Sequence, residues 1–177
     1  MALRKITVKG DEILARKCKP VKAITPRIRQ ACEDMVETML ASDGVGIAAP
    51  QIGIMKRFFI AMPHVDSDDE EMRDRIYYMI NPEITYREGI QESSEGCLSV
   101  PGYMGLVDRP QKIRIKAMDL EGEEHEYEFE GFAATVFCHE YDHLEGILYT
   151  DIAKETMTVE EYAERLEALK EEHADEQ

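Results

Sequence analysis

The sequence predicts an α+β fold in which antiparallel β-sheets pack around one central, buried helix, and three patterns in its 177 residues carry that expectation. Lys112-Ile113-Arg114-Ile115-Lys116-Ala117-Met118 and Glu124-His125-Glu126-Tyr127-Glu128-Phe129-Glu130 alternate strictly, the two-residue period of strands with one buried face. Ile28, Cys32, Met35, Val36, Met39 and Leu40 recur at helical spacing. Residues 131–144 read as a helix so fully surrounded by Phe132, Ala133, Ala134, Val136 and Phe137 that it belongs among sheets. The length is that of one ordinary domain, so residues 1–177 are expected to form a single unit without disulfide staples.

Residues 3–8 read as an extended N-terminal arm, punctuated by Gly10-Asp11-Glu12. Thr25 then caps a helix with Pro26 at its first position, where a missing N–H is harmless. The apolar stripe of that helix makes Cys32 a packing residue and leaves Arg27, Arg29, Glu33, Asp34 and Glu37 for solvent. Ser42-Asp43-Gly44 ends it. The run Gly44-Val45-Gly46-Ile47-Ala48-Ala49-Pro50-Gln51 is small enough for the backbone to approach a ligand or a neighbouring element closely. It lacks the Lys-Ser/Thr ending of a phosphate loop and the third glycine of a dinucleotide fingerprint. Residues 57–62 and 76–85 are β-rich and separated by an acidic loop at 66–74; Asn81-Pro82 should mark a bend or a sheet edge. The alternating pair around Glu121-Gly122 is a hairpin, with His125 on its polar face, exposed and not a ligand. Glu145-Gly146 ends the buried helix. Thr158-Val159-Glu160-Glu161 opens a last helix as a capping box, covering about residues 158–170, with Val159, Tyr162, Ala163, Leu166 and Leu169 turned toward the domain and a frayed tail.

The buried helix contains Cys138-His139-Glu140-Tyr141-Asp142-His143-Leu144, an H-E-x-x-H sequence. At about 100° per residue, His139 and His143 lie about 40° apart, so both imidazoles leave one face of the helix and can grip one metal ion. Glu140, about 60° from His143, can reach a water at that ion without ligating it. A catalytic site of this kind needs a third protein ligand. The metzincin extension loses it, because Gly146 is in place but Tyr149 stands where the histidine belongs. Glu160, Glu161 or Glu164 would make a minimal zinc endopeptidase, although an acid-rich amphipathic helix accounts for them by charge alone. Cys97, within Glu95-Gly96-Cys97-Leu98-Ser99, is the third choice, against the usual tendency of a lone cysteine to be a small buried hydrophobe. Cys138 lies about 100° from His139 and is read as packing. Asp142 is placed to fix a histidine tautomer or to pair with a cation. A non-catalytic reading, a metal sensor whose ion only orders the domain, stands beside these.

Taken together and in this order, residues 44–51, Glu95-Gly96-Cys97-Leu98-Ser99 and His139-Glu140-Tyr141-Asp142-His143 resemble the three motifs of the peptide deformylase family. The resemblance runs from Leu3-Arg4-Lys5-Ile6 to the C-terminal helix. It implies one divalent metal ion held by Cys97, His139 and His143, with Fe2+ the family's usual ion and Zn2+, Ni2+ or Co2+ also suited to a thiolate–imidazole set. It implies hydrolysis of the formyl group from formyl-methionine at the start of newly synthesised polypeptides, releasing formate. In that role Glu140 carries a proton from water to the leaving amine, and the Gln51 side-chain amide and the Leu98 backbone N–H receive the oxyanion. The substrate backbone is expected along Val45-Gly46 and Gly96 as an added strand, with its methionine side chain in a pocket including Val45, Phe132 and Val136. Arg109 stands where the family has an arginine and is expected to pair with Asp142. Two positions depart from the family pattern: Cys138 replaces a common glutamine, and Thr135 replaces an aliphatic or basic residue.

A formal charge of −16 argues against a broad footprint on nucleic acid or anionic lipid, so direct nucleic-acid binding is not expected. The surplus of acid is concentrated in residues 66–74 and 154–177, read as a solvated loop and a solvated helix face. No apolar stretch reaches the ~20 residues that span a bilayer. Four cysteines without a C-x-x-C pair, and no apolar signal segment after Met1, fit a reducing cytoplasm. The expected partners are formylated nascent N-termini, with transient ribosome proximity and a monomeric enzyme.

Overall fold

The structure, a computed structural model, describes residues 2–175. Helix α1 (Pro26–Ala41) leads into β1 (Gly46–Ala48), β2 (Phe58–Ala61), the one-turn α2 (Glu70–Arg73), β3 (Tyr77–Glu88) and β4 (Gln91–Cys97). There follow β5 (Val100–Arg109), β6 (Lys112–Met118), β7 (Glu124–Glu130), α3 (Gly131–Leu144), α4 (Tyr149–Ile152), β8 (Glu155–Thr158) and α5 (Val159–Asp175). One sheet has the order β1-β2-β3-β6-β7 and the other β4-β5-β8, with antiparallel pairing throughout both.

Alternation along the strands explains the layering. In β2, Phe58 and Ile60 face the helix α1 side with Met35, Met39, Ile47 and Ile80, whereas Phe59 and Ala61 face the α3 side with Ala134, Val136 and Phe137. The five-stranded sheet is thus covered on both faces. Phe59 and Phe137 are fully buried, each contributing about 1.5–3 kcal/mol through burial. The Phe129 and Phe137 rings stack at 4.0 Å and tie β7 to the helix that follows it. The smaller sheet joins through Leu14, Val100, Val107, Leu148 and Tyr149.

Several local expectations are corrected by tertiary contacts. Asp34 is buried, not solvated, because the N-terminal arm crosses α1: the Ala2 N–H, Arg4 Nε and Gln30 Nε2 donate to its carboxylate at 2.9, 2.8 and 3.0 Å. Burial alone would raise the Asp34 carboxyl, but these hydrogen bonds outweigh it and hold it below its usual value. Leu40, counted in the apolar stripe, is exposed. Asn81-Pro82 bends β3 without making an edge, since β3 is an interior strand. Asn81 sits at φ 51°, and its side-chain amide exchanges two 2.8 Å hydrogen bonds with the Val21 backbone at the register shift. The acidic loop contains the turn of α2, capped by Asp69. His125 pairs with Ala117 in the register, which puts it on the inner face beside Tyr127, half-buried and 2.7 Å from Asp119. Phe132 is 52% exposed, because α3 begins at the rim of the sheet.

The capping box of α5 forms, with the Glu161 N–H donating to Thr158 Oγ1 at 3.1 Å and the Thr158 N–H to Glu161 Oε2 at 2.7 Å. The inward stripe does not. Val159, Leu166 and Leu169 are exposed, and the helix extends to Asp175. Its packing is against β5 and β8 near its start, which leaves the later turns without a surface to cover them.

Gly146, past the end of α3, takes φ 76°, and a Cβ there would lie 2.7 Å from the Ala15 carbonyl carbon. The Gly146→Ala variant is therefore expected to lose about 2–5 kcal/mol, combining left-handed strain with overpacking. Calorimetry should record a fall in Tm of roughly 5–15 °C; a shift within about 1 °C would show that the contact yields freely.

Candidate active site

Both sheets present an unpaired edge to a common cleft: β1 borders the larger sheet and β4 the smaller one. Helix α3 closes the floor between them. The cleft has a volume of about 770 Å³ and is lined by Val45, Gly46, Gly96, Leu98, Phe132 and Val136, among others. Every expected binding residue therefore reaches one cavity. Gln51, His139 and Glu140 line it too.

On the floor, His139 and His143 leave α3 one turn apart, with ring centroids 5.0 Å from each other. Cys97 ends β4 just after a register shift, and its Sγ lies 3.4 Å from His143 Nε2. One ligand atom from each of Cys97, His139 and His143 falls within 4.8 Å of the others. Of the three candidate third ligands, the family resemblance pointed to Cys97, and the fold brings Cys97 to the pair. The glutamates at 160, 161 and 164 are exposed on α5. Tyr149 does come close, but it stacks its ring 6.0 Å from that of His139 and offers an aromatic face.

Behind the ligands is a charged chain. His139 Nδ1 is 2.7 Å from Glu95 Oε1, and Arg109 grips the same carboxylate through Nε and a terminal nitrogen, both at 2.8 Å. Arg109 also pairs with Asp142. The Arg109–Asp142 contact was expected; among the described residues the Asp142 side chain has no hydrogen bond to a histidine, and Glu95 stands at His139 Nδ1 instead. Burial opposes ionisation of Glu95, yet the hydrogen bonds from Arg109 and His139 prevail and hold its carboxyl down at about 2. The sequence contained a signal for this residue. Glu95 stands two positions before Cys97 on a strand, so both lie on one face of it.

Gln51 is buried and fully oriented. Its Oε1 accepts the Ala48 N–H at 2.8 Å, which leaves Nε2 to face Ser99 Oγ at 3.1 Å and Cys97 Sγ at 3.6 Å. Ser99, which sequence reading passed over, also donates its backbone N–H to the same sulfur at 3.4 Å. Glu140 is buried, and its Oε2 has no hydrogen-bond partner among the described residues. Burial pushes its carboxyl up to about 7. A Cβ on Gly46 would lie 2.5 Å from Glu140 Oε1, so this glycine makes room for the carboxylate itself. Cys138 is buried in the core, where burial raises its thiol to about 11, in keeping with a packing role.

The donor set fits a divalent metal ion: a thiol and two imidazoles converge, one imidazole is oriented by a carboxylate, and an unpartnered carboxylate stands beside them. The sequence profile of the Polypeptide deformylase family matches residues 3–158. The chain belongs to the polypeptide deformylase family. This deformylase is 44% identical over 161 residues to the peptide deformylase of Thermoanaerobacter pseudethanolicus, covering 91% of this chain and 96% of that protein. The crystal structure of peptide deformylase from Thermotoga maritima superimposes with a TM-score of 0.80 at 37% identity, over 88% of this chain and 100% of that one. A Met-Ala-Ser-bound class I type b peptide deformylase from Acinetobacter baumannii gives a TM-score of 0.78 at 35% identity, over 85% of this chain and 98% of that one. The family is metal-dependent, and Cys97, His139 and His143 form the candidate metal site of this deformylase.

Proposed function

We propose that this deformylase removes the formyl group from the formyl-methionine of nascent polypeptides in the cytoplasm, as a monomeric, single catalytic domain, with Glu140 as its proton carrier. The observation that carries the assignment is the convergence of Cys97, His139 and His143 beside the buried carboxylate of Glu140, whose Oε2 has no hydrogen-bond partner among the described residues. The three ligands would hold one metal ion, Fe2+ by the family resemblance, with Zn2+, Ni2+ and Co2+ compatible with the same donors. Such an ion supplies Lewis acidity and lowers the pKa of a bound water.

The chain's own groups do the rest. The substrate backbone adds as a strand between the free edges at Gly46 and Gly96, and its methionine side chain enters between Val45, Phe132 and Val136. The peptide ligand in the A. baumannii relative supports a peptide in this cleft. Glu140 takes a proton from the attacking water as its oxygen bonds to the formyl carbon. Gln51 Nε2 and the Leu98 backbone N–H donate to the oxygen that gains charge, an interaction of the kind whose loss typically costs ~10²–10³ in turnover. Glu140 then passes the proton to the amine nitrogen as the C–N bond breaks, leaving formate and a free N-terminus. Glu95, itself held by Arg109, orients the His139 ring through Nδ1, which would leave Nε2 free to hold the ion.

The direct test is formate release from formyl-Met-Ala-Ser by enzyme purified and loaded with Fe2+ under anaerobic conditions. Stoichiometric formate and free amine are expected, with acetyl-Met-Ala-Ser turned over at least ~10²-fold more slowly. Cleavage of internal peptide bonds without formate release would replace this reading with the endopeptidase.

A further inference from the structure

We propose that a second surface, the groove between the segment entering α1 and the loop entering β2, binds the phosphate backbone of double-stranded RNA. The chain carries a formal charge of −16, yet this groove of about 710 Å³ is lined by Arg16, Lys17, Lys19, Lys22, Arg27 and Lys56 and by no acidic side chain. Lys17 pairs with Glu145 at 3.0 Å. The other five form no ion pair among the described residues. On the β6 and β5 strands, by contrast, cations are neutralised where they stand: Lys112, Arg114 and Lys116 by glutamates of β7, and Arg109 by Glu95 and Asp142.

The backbone holds these lysines in place. Lys19 and Lys56 are partners in an isolated parallel bridge: the Lys19 N–H donates to the Met55 carbonyl at 3.2 Å, and the Arg57 N–H donates to the Lys19 carbonyl at 2.9 Å. Cys18 N–H donates to the Leu144 carbonyl at 2.9 Å, tying the same segment to the end of α3. Concentrated positive charge on a rigid concave frame matches a row of phosphates. The lining has no aromatic side chain on which a base could stack, which favours a duplex read through its backbone over a single strand. The acid surplus on the rest of the chain repels RNA, so one docking orientation is selected. The groove shares no lining residue with the substrate cleft, so the proposed contact does not use the residues of the cleft. A local basic groove is compatible with an overall charge that excludes a broad footprint.

The test uses the metal-loaded enzyme and a fluorescein-labelled RNA duplex of ~20 base pairs, followed by anisotropy at several salt concentrations. Three to five phosphate contacts give a log K against log salt slope of about −0.9 per contact, so affinity should fall roughly 50- to 500-fold between about 50 and 200 mM salt. The triple variant Lys19→Glu, Lys22→Glu, Lys56→Glu should bind at least tenfold more weakly, with turnover of formyl-Met-Ala-Ser unchanged. The Lys→Arg triple variant at the same positions should retain binding, which separates charge from damage to the fold. Absence of saturable binding to RNA, equal binding by the charge-reversed variant, or preference for polyglutamate over RNA would each overturn the proposal; the last would point to an acidic protein instead. Because binding is read by anisotropy, the result does not depend on the assignment of Glu140 or the metal ligands.

Discussion

Replacing Glu140 with glutamine is expected to lower turnover on formyl-Met-Ala-Ser by roughly 10²–10⁴-fold while leaving bound metal at its wild-type level. Glutamine has nearly the same shape, so it fits the space that Gly46 leaves and keeps the packing of α3. It cannot accept and return a proton. The variant should also be no less stable than the parent, because the carboxylate it replaces is buried without a hydrogen-bond partner on Oε2. The sign follows from its pKa. Burial raises Glu140 from 4.5 to about 7 in the metal-free protein, so its contribution to stability is present below pH 4.5 and is lost as pH rises through about 7. Chelated Glu140→Gln enzyme should not suffer that loss. A bound cation favours the ionised form and opposes the shift, so the comparison must be made after chelation. Turnover within tenfold of wild type would remove Glu140 from the proton path. A metal sensor would keep its function through this change, whereas a hydrolase keeps only its metal.

Cys97→Ala is expected to reduce bound metal from one equivalent to below about a tenth, and activity with it, because a structurally convergent site of three ligands is reduced to two. Two hydrogen-bond donors are aimed at its sulfur, Gln51 Nε2 at 3.6 Å and the Ser99 N–H at 3.4 Å, and hold it facing the two imidazoles. Metal analysis by mass spectrometry gives the stoichiometry. Thermal melts give an independent measure: an ion at 100 times its Kd stabilises the native state by about 2.7 kcal/mol, and this increment should vanish in the variant. Full metal content together with full activity in Cys97→Ala would exclude the thiolate as a ligand and return attention to a glutamate-based set. Full metal content with activity lost would mean that sulfur is needed for chemistry and not for affinity.

Much of this molecule is written locally. The H-E-x-x-H segment places two imidazoles and a carboxylate by helical period alone, and the β6–β7 hairpin follows from strict alternation. The cap at Thr25 and the box at Thr158 are also local, since each satisfies donors within a few residues along the chain. The resemblance of three motifs, in order, pointed to the family that the comparisons then showed.

What the sequence determined by itself was therefore the set of chemical groups and the elements that carry them. Long-range packing decided which groups meet. Helical period assigns Asp34 an outer, solvated face, and the N-terminal arm, 30 to 32 positions away, covers it. Asp142 was the nearest charged neighbour of the histidines along the chain, yet Glu95, 44 residues from His139, holds the tautomer. The apolar stripe of α5 has helical spacing, but among the described residues only its start packs against β5 and β8, and spacing cannot tell how far a facing surface extends. Nor does local pattern reveal that Lys19 and Lys56 stand side by side. Periodicity fixes directions relative to an element's own axis; contacts between elements depend on where the other axes lie, and the closing of β1, β4 and α3 around one cleft settles that for the active site.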